Sequence, residues 1–155
     1  MPALGSSTIT ATITSPSTIT KSYNVTLTYG TATKLAVSAA TVSATNRTVW
    51  AAQPTITVQD VSGNTVGNAT DSISASVTSA NSADVTLGGT STAAATAGSL
   101  AYTDLKLSGK ASTYTITYEA TGLAPVTQTV TLASGAVASV GLVVPVSANS
   151  AAVLS

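Results

Sequence analysis

Residues 110–122 read KASTYTITYEATG, and within them Tyr114, Ile116 and Tyr118 alternate strictly with Thr113, Thr115 and Thr117. A period of two sends the two sets to opposite faces of an extended chain, the mark of a strand with one apolar and one wet side. Threonine suits the wet side: its branched Cβ fits a pleated surface and loses side-chain freedom in a helix. The pattern recurs along the chain. Ile56 and Val58 alternate with Thr55, Thr57 and Gln59; Ile73, Ala75 and Val77 with Ser72, Ser74 and Ser76; Val130 and Leu132 with Thr129 and Thr131. No window carries apolar residues at i, i+3 and i+4 with comparable regularity, so the chain reads as all-β.

Turn residues divide the middle of the chain into about seven strands, near residues 34–43, 54–60, 71–78, 84–87, 99–107, 112–120 and 125–133. Ser62-Gly63-Asn64, Gly88-Gly89, Ser108-Gly109-Lys110 and Thr121-Gly122 supply the residues that tolerate tight reversals. Pro54 and Pro125 stand at strand starts, where a missing N–H costs least. About seven short strands in some 100 residues is the arithmetic of an immunoglobulin-like antiparallel β-sandwich. Its expected core is Leu35, Val37, Trp50, Ile56, Val58, Ile73, Val77, Val85, Leu87, Leu100, Tyr102, Leu105, Leu107, Tyr114, Ile116, Tyr118, Val130 and Leu132. At about 1.5–3 kcal/mol per buried side chain this suffices for one domain and not for two. Leu100 and Tyr102 have the opposite parity to Leu105 and Leu107, so a bulge or kink is expected near Asp104.

Composition narrows the chemistry. Only 6% of the 155 residues are charged, the net charge is zero, and there is no His and no Cys. A typical soluble chain is about 25% charged. Disulfides, zinc fingers, thiol nucleophiles and Ser-His-Asp triads are thereby excluded. Nucleic acid is not an expected partner, because phosphate binding needs clustered Lys and Arg. The longest apolar stretch, residues 135–146 (GAVASVGLVVPV), is short of the ~20 residues of a spanning helix, so membrane insertion is not expected. Residues 1–5 (MPALG) lack the basic and apolar blocks of a secretory signal. Disordered chains combine low hydrophobicity with high net charge, the reverse of this one. A folded, extracellular-type β protein is the expectation.

The chain also repeats itself at an offset of 105. Residues 8–37 superpose on 113–142 without gaps, placing Thr8, Thr10 and Thr12 on Thr113, Thr115 and Thr117. Val25-Thr26-Leu27 falls on Val130-Thr131-Leu132, and Leu35 and Val37 fall on Val140 and Leu142. Apolar parity agrees as well, Ile9 with Tyr114 and Ile13 with Tyr118. A period near 100 is one sandwich domain and points to a tandem array. The expected organisation is therefore threefold. Residues 1–33 are the last strands of a preceding repeat or a complementing N-terminal extension. Residues 34–135 are one complete repeat. Residues 136–155 are the first strand of a following repeat, or a donor strand. In the donor alternative, Thr8, Ile9, Ile13, Val25 and Leu27 would pair with Val140, Leu142 and Val144 of a neighbour by strand addition.

Three segments, TITVQDVSGNTV (residues 55–66), AGSLAYTDLKLSGKASTYTITYEATG (97–122) and TVTLASGAVASVGL (129–142), resemble the bacterial Ig-like modules of surface proteins, the invasin- and intimin-like repeats of long extracellular stalks. The resemblance covers about 100 residues. It implies a β-sandwich at the bacterial cell surface acting as a spacer or adhesin stalk, generally without catalysis. The low charge is unusual for such a module.

Few side chains offer chemistry. Asp60, Asp71, Asp84, Asp104 and Glu119 are the only carboxylates, and they are scattered over separate strands and turns. Paired carboxylates for glycoside hydrolysis are not expected, nor is any cofactor. Asp60, Asn64 and Asp104 are the calcium candidates, with a side-chain-capped turn as the plainer reading of Asp60 to Asn64. Asn24, Asn46 and Asn68 head glycosylation sequons. Trp50 and Tyr29 would serve as carbohydrate platforms only if exposed; packing in the core or between domains is the simpler expectation. The expected role is a non-catalytic structural repeat of a surface protein or filament, partnered by neighbouring repeats or identical subunits, with any cell-surface ligand unknown. The alternatives are a pilus, sheath or surface-layer subunit polymerising by strand complementation, and a carbohydrate- or ice-binding module.

Overall fold

The computed structural model describes residues 6–14, 18–26, 28–39 and 41–136. They form twelve strands and, among the described residues, no α-helix: β1 (Ser6–Ile13), β2 (Ile19–Thr26), β3 (Lys34–Val37), β4 (Thr41–Thr45), β5 (Thr55–Gln59), β6 (Ser72–Val77), β7 (Val85–Gly88), β8 (Thr92–Ala94), β9 (Ser99–Ala101), β10 (Lys106–Gly109), β11 (Ser112–Glu119) and β12 (Val126–Ala133). Among the described residues no helix is long and apolar enough to cross a membrane.

β3 to β12 build a β-sandwich. A five-stranded sheet in the order β4-β12-β11-β6-β8 lies over a three-stranded sheet, β3-β5-β9, and a two-stranded ribbon of β7 and β10. The inward side chains of these sheets join one buried cluster that includes Trp50, Ile56, Leu107, Tyr114, Ile116, Tyr118 and Val130. The ladders are antiparallel except one, in which β4 runs parallel to β12 with Val42 opposite Val130 and Ala44 opposite Leu132. Of the expected core, Val37, Val77, Val85 and Leu87 are partly buried and the others fully.

The strands are shorter and more numerous than the seven expected because the chain changes sheets inside two of them. Residues 34–43 split into β3 and β4, which belong to different sheets. Residues 99–107 split into β9 and β10. Leu100, Tyr102, Leu105 and Leu107 are all buried, and the parity change between the pairs falls where the chain turns from one sheet to the β7–β10 ribbon. Asp104 holds that corner by accepting the backbone N–H of Thr90 at 2.9 Å and its hydroxyl at 2.9 Å. β8 is short and Ala-rich, without the alternation that would announce it. It joins β9 through Ala97 and Gly98, both at positive φ, and a side chain at Gly98 would collide with the Val66 carbonyl. Glycine there satisfies both the turn and the close approach.

The path of β12 places entry and exit of the domain at opposite poles. Just before β12, Ala124 exchanges backbone hydrogen bonds with the segment entering β3: Ala124 N–H donates to Thr33 O and Leu35 N–H donates to Ala124 O. At the far end of β12, Asn46 N–H donates to Ala133 O. Eight residues of strand at ~3.3 Å each put ~26 Å between the two poles.

Candidate interaction surface at the first hairpin

β1 and β2 form a separate two-stranded sheet. Ile9 stands opposite Tyr23, Ala11 opposite Lys21 and Ile13 opposite Ile19, while Thr8, Thr10 and Thr12 face Asn24, Ser22 and Thr20. One face is thus apolar around a central Lys21, and the other is hydroxylic. The polar face is internally bonded: the Thr8 hydroxyl donates to Asn24 Oδ1 at 2.9 Å, and Thr10 and Ser22 share a hydrogen bond of 3.2 Å. The apolar face is bare, with Ile9 58%, Ile13 60%, Ile19 56% and Tyr23 63% exposed. Among the described residues the outer edges of β1 and β2 carry no further strand.

The hairpin has a buried counterpart in the body. At the offset of 105, β1 maps onto β11 and β2 onto β12. In the second hairpin Tyr114 stands opposite Val130 and Tyr118 opposite Val126. The two registers differ by two residues, an even slip that keeps every side chain on its original face. At the positions apolar in both hairpins the cover differs: Tyr114, Tyr118 and Val130 are 0% exposed, whereas Ile9, Ile13 and Val25 are 58%, 60% and 42% exposed. Lys21 and Tyr23 stand at the positions of Val126 and Gln128. β12 has β4 on its outer edge and β11 has β6.

A seat on the body holds the link between hairpin and sandwich. A Cβ added to Gly67 would lie 2.6 Å from the Tyr29 hydroxyl oxygen, and one added to Gly30 would lie 2.5 Å from Asp60 Oδ2. Tyr29 and Gly30 therefore pack on the turn that follows β5, while Tyr29 keeps 38% of its surface exposed. Trp50, the other aromatic considered as a platform, is 3% exposed and belongs to the core.

The seat turn is organised by Asp60. Its Oδ1 accepts the N–H groups of Ser62 (3.0 Å) and Asn64 (2.9 Å), and its Oδ2 accepts the Asn64 amide at 3.1 Å. These bonds, led by the Asn64 side chain and backbone, hold the Asp60 carboxyl below its ordinary pKa. Thr90, through its backbone and then its hydroxyl, does the same for Asp104. The two carboxylates lie beyond opposite ends of the β5–β9 ladder, Asp60 past the Thr57–Ser99 pair and Asp104 past Thr55–Ala101. Of the calcium candidates, Asp60 and Asn64 are thus bonded to each other while Asp104 lies apart, and no cluster of three acidic or metal-ligating side chains exists among the described residues. Three shallow hollows, one around Asn46 and Gly135, one around Glu119 and Ser72, one around Asp104 and Leu100, each hold at most one carboxylate.

The three sequons differ in access. Asn68 is exposed in a turn and Asn24 exposed on β2. Asn46 is engaged on both atoms of its amide: Nδ2 donates to Gly109 O and Oδ1 accepts Gly109 N–H, both at 3.0 Å. Of the expected assembly strands, Thr8, Ile9, Ile13 and Val25 lie on the first hairpin, whereas Leu27, Val140, Leu142 and Val144 lie outside the described residues. Ile19 and Tyr23 were absent from the expected set. The signal for them is the parity of residues 19–25, which places both beside Val25.

No family model matches the sequence, and no curated protein matches it. Among solved structures the fold is similar to part of a beta-glycosidase from Bacteroides vulgatus, with a TM-score of 0.53 and 15% identity over 82% of this chain and 17% of that one. It is likewise similar to part of a glycosyl hydrolase family 2 member from Bacteroides cellulosilyticus, with a TM-score of 0.51 and 13% identity over 81% of this chain and 21% of that one. The chain spans about a fifth of the length of these proteins, and at such identities the likeness is one of fold: an all-β sandwich also present in bacterial proteins.

Proposed function

We propose that this chain is one unit in a row of like β-sandwiches, a non-catalytic spacer in a long extracellular bacterial surface protein or filament. The observation that carries the reading is the first hairpin. It repeats the face pattern of the β11–β12 hairpin, yet its apolar face is bare, as expected of the last two strands of a neighbouring sandwich. In this reading residues 1–33 close a preceding repeat, residues 34–135 are a whole one, and residues 136–155 open the next. Entry and exit at opposite poles let each unit add its own length to the stalk, and the seat of Tyr29 on Gly67 restrains the joint. Scarce charge fits a surface that neighbours cover, since free monomers rely on charge for solubility.

Antibodies raised against the chain test this on the source bacterium. Intact cells should label, and mild external protease should remove the label. Labelling confined to permeabilised cells would overturn the surface role.

A second reading has its own observation. On the outer face of the five-stranded sheet, Thr113 and Thr115 stand directly opposite Thr131 and Thr129, which in turn stand opposite Ser43 and Thr41. Thr117, on the same side of β11, is buried with its hydroxyl bonded to Thr78. Rows of hydroxyls three strands wide suit an ordered hydroxylic ligand, a carbohydrate or ice. Sedimentation with insoluble polysaccharide and freezing-point hysteresis, each lost in Thr129→Lys, would establish it; neither effect in the unaltered chain removes it.

A further inference from the structure

We propose that the outer edge of β2, together with the apolar face of the first hairpin, receives residues 145–149 of a second copy of this chain, laid parallel to β2 as β4 is laid parallel to β12. The inference deepens, and rests on, the reading of the chain as one unit in a row. It begins with a recurrence of β4 itself. Residues 41–45 read TVSAT and residues 145–149 read PVSAN, so that Val42-Ser43-Ala44 returns as Val146-Ser147-Ala148. The likeness continues downstream, with Val153 in the place of Val49 and Leu154 in the place of Trp50. The sequence therefore carries the β11–β12 pattern a second time at residues 6–26 and the β4 pattern a second time at residues 145–149.

The body fixes how these two pieces fit. In the β4–β12 ladder Thr41 stands opposite Thr129, Val42 opposite Val130 and Ser43 opposite Thr131. Carried to the first hairpin, the register places Pro145 beside Asn24, Val146 beside Val25 and Ser147 beside Thr26. Val146 and Ala148 then join the apolar face with Ile9, Tyr23 and Val25, as Val42 and Ala44, 6% and 5% exposed, join the core of the body. Ser147 points to the hydroxylic side. Proline at the first residue of an edge strand leaves the ladder intact. Residues 134–155 contain no charged side chain to meet Lys21, the only one on the hairpin, and Lys21 lies outside the Asn24–Thr26 register.

Chain length selects a second copy over the chain's own end. Residues 134–144 connect Ala133 to Pro145, and twelve extended steps span at most ~43 Å. Ala133 ends at the pole opposite the one where the chain enters β3, so the return past β12 alone uses ~26 Å. What remains must still pass the linker and reach Asn24. A second copy placed end to end would bring its own hairpin to that exit pole.

The chain has no cysteine, so designed thiols report the ladder without background. Thr26→Cys in one population and Ser147→Cys in another, mixed and oxidised, should give a disulfide-linked dimer at least tenfold faster than Thr26→Cys mixed with Ala148→Cys, whose thiol faces the other way. The emission of Trp50, the single tryptophan, confirms that each variant keeps its folded body. Equal rates for the two mixtures overturn the register. No dimer from folded protein overturns the contact. A Thr26→Cys, Ser147→Cys double variant that closes within one chain overturns the second copy. Surface labelling is independent of these outcomes: cross-linking without it leaves the strand exchange standing and removes the stalk.

Discussion

Tyr118 donates its phenolic hydrogen to the side-chain oxygen of Gln128 at 2.8 Å, and the Gln128 amide donates in turn to the Ala39 carbonyl at 2.7 Å. Gln128 is 1% exposed, so this chain of bonds runs through the core. It joins β11 and β12 to the segment where the chain crosses from β3 to β4, and it supplies a partner for a backbone carbonyl that has left its ladder. Burying such a group unpaired costs about 1–3 kcal/mol. Tyr118→Phe, which strands only the Gln128 oxygen, should lower unfolding stability by about that amount. Gln128→Ala strands both neighbours and opens a cavity, so it should cost more. The double variant should cost less than the sum, because the two residues share one network. Urea unfolding followed by Trp50 emission measures all three.

Alkaline pH should destabilise the fold from within. Burial pushes the Tyr102 hydroxyl up to about 12. It raises Tyr118 further, with the neighbouring Tyr102, 5.7 Å away between ring centroids, adding to the effect. A tyrosine whose folded pKa is raised holds its proton longer in the folded state than in the unfolded one. Its contribution is complete below the unfolded value near 10 and is lost as pH rises towards the folded value. Each such group removes about 1.4 kcal/mol per pH unit within that window. Unfolding stability should therefore be flat from pH 8 to 9.5 and fall steeply between 10 and 12. The fall should be shallower in Tyr102→Phe.

The even-numbered alternation of Tyr114, Ile116 and Tyr118 made the sandwich legible, because burying one face of a strand leaves a period-two trace in any sequence. The corners left no such trace. Residues 34–43 and 99–107 each look like one strand, since parity describes which way side chains point and not which sheet the backbone bonds. Gln128 escaped for a related reason. A buried polar residue on an apolar face is indistinguishable from a solvent-facing one until its partners, Tyr118 and Ala39, are placed in space. The first hairpin was legible as strands, but that its face would be bare depends on what is absent from its surroundings.

Removing metal should change nothing, while acid should loosen the seat of the linker. Asp60 and Asp104 already spend their oxygens on protein donors, so the melting temperature should be the same in chelator and in millimolar calcium. A melting point that rises with calcium in the unaltered chain and not in Asp60→Asn would show that the Asp60 turn does bind metal. Both carboxylates have lowered pKa values, so their contribution is present above the ordinary carboxylate range and is lost as pH falls through the lowered folded value. Below pH 4 the melting temperature should decline, and Asp60→Asn should reduce the decline.

Glycan occupancy should follow amide access. If the chain passes through a compartment that glycosylates Asn-X-Thr, Asn68 should be modified and Asn46 should not, because the Asn46 amide is committed to Gly109 on both atoms. Asn46→Ala should be felt in the fold, with about 1–3 kcal/mol lost from two part-buried hydrogen bonds. Asn68→Ala, at an exposed turn, should stay within about 0.5 kcal/mol. Intact mass and peptide mapping measure the first comparison, and denaturant unfolding the second. Modification at Asn46 of the folded chain would contradict the structure.

The same substitution placed in the two hairpins should separate folding from association. Val25 and Val130 occupy equivalent positions at the offset of 105, but Val25 is 42% exposed and Val130 0%. Val130→Thr inserts a hydroxyl into the core and should cost about 1–3 kcal/mol of unfolding stability. Val25→Thr in dilute monomer should change stability by less than about 0.5 kcal/mol. At concentrations where the chain associates the order reverses. Val25→Thr should weaken association, because it places a polar group on the face that a neighbour covers, and deletion of residues 1–29 should abolish it. Sedimentation velocity across a concentration series, paired with urea unfolding of the same samples, reads both quantities. If Val25→Thr leaves association unchanged, or destabilises the dilute monomer as much as Val130→Thr, the first hairpin is not an open half of a neighbouring sandwich.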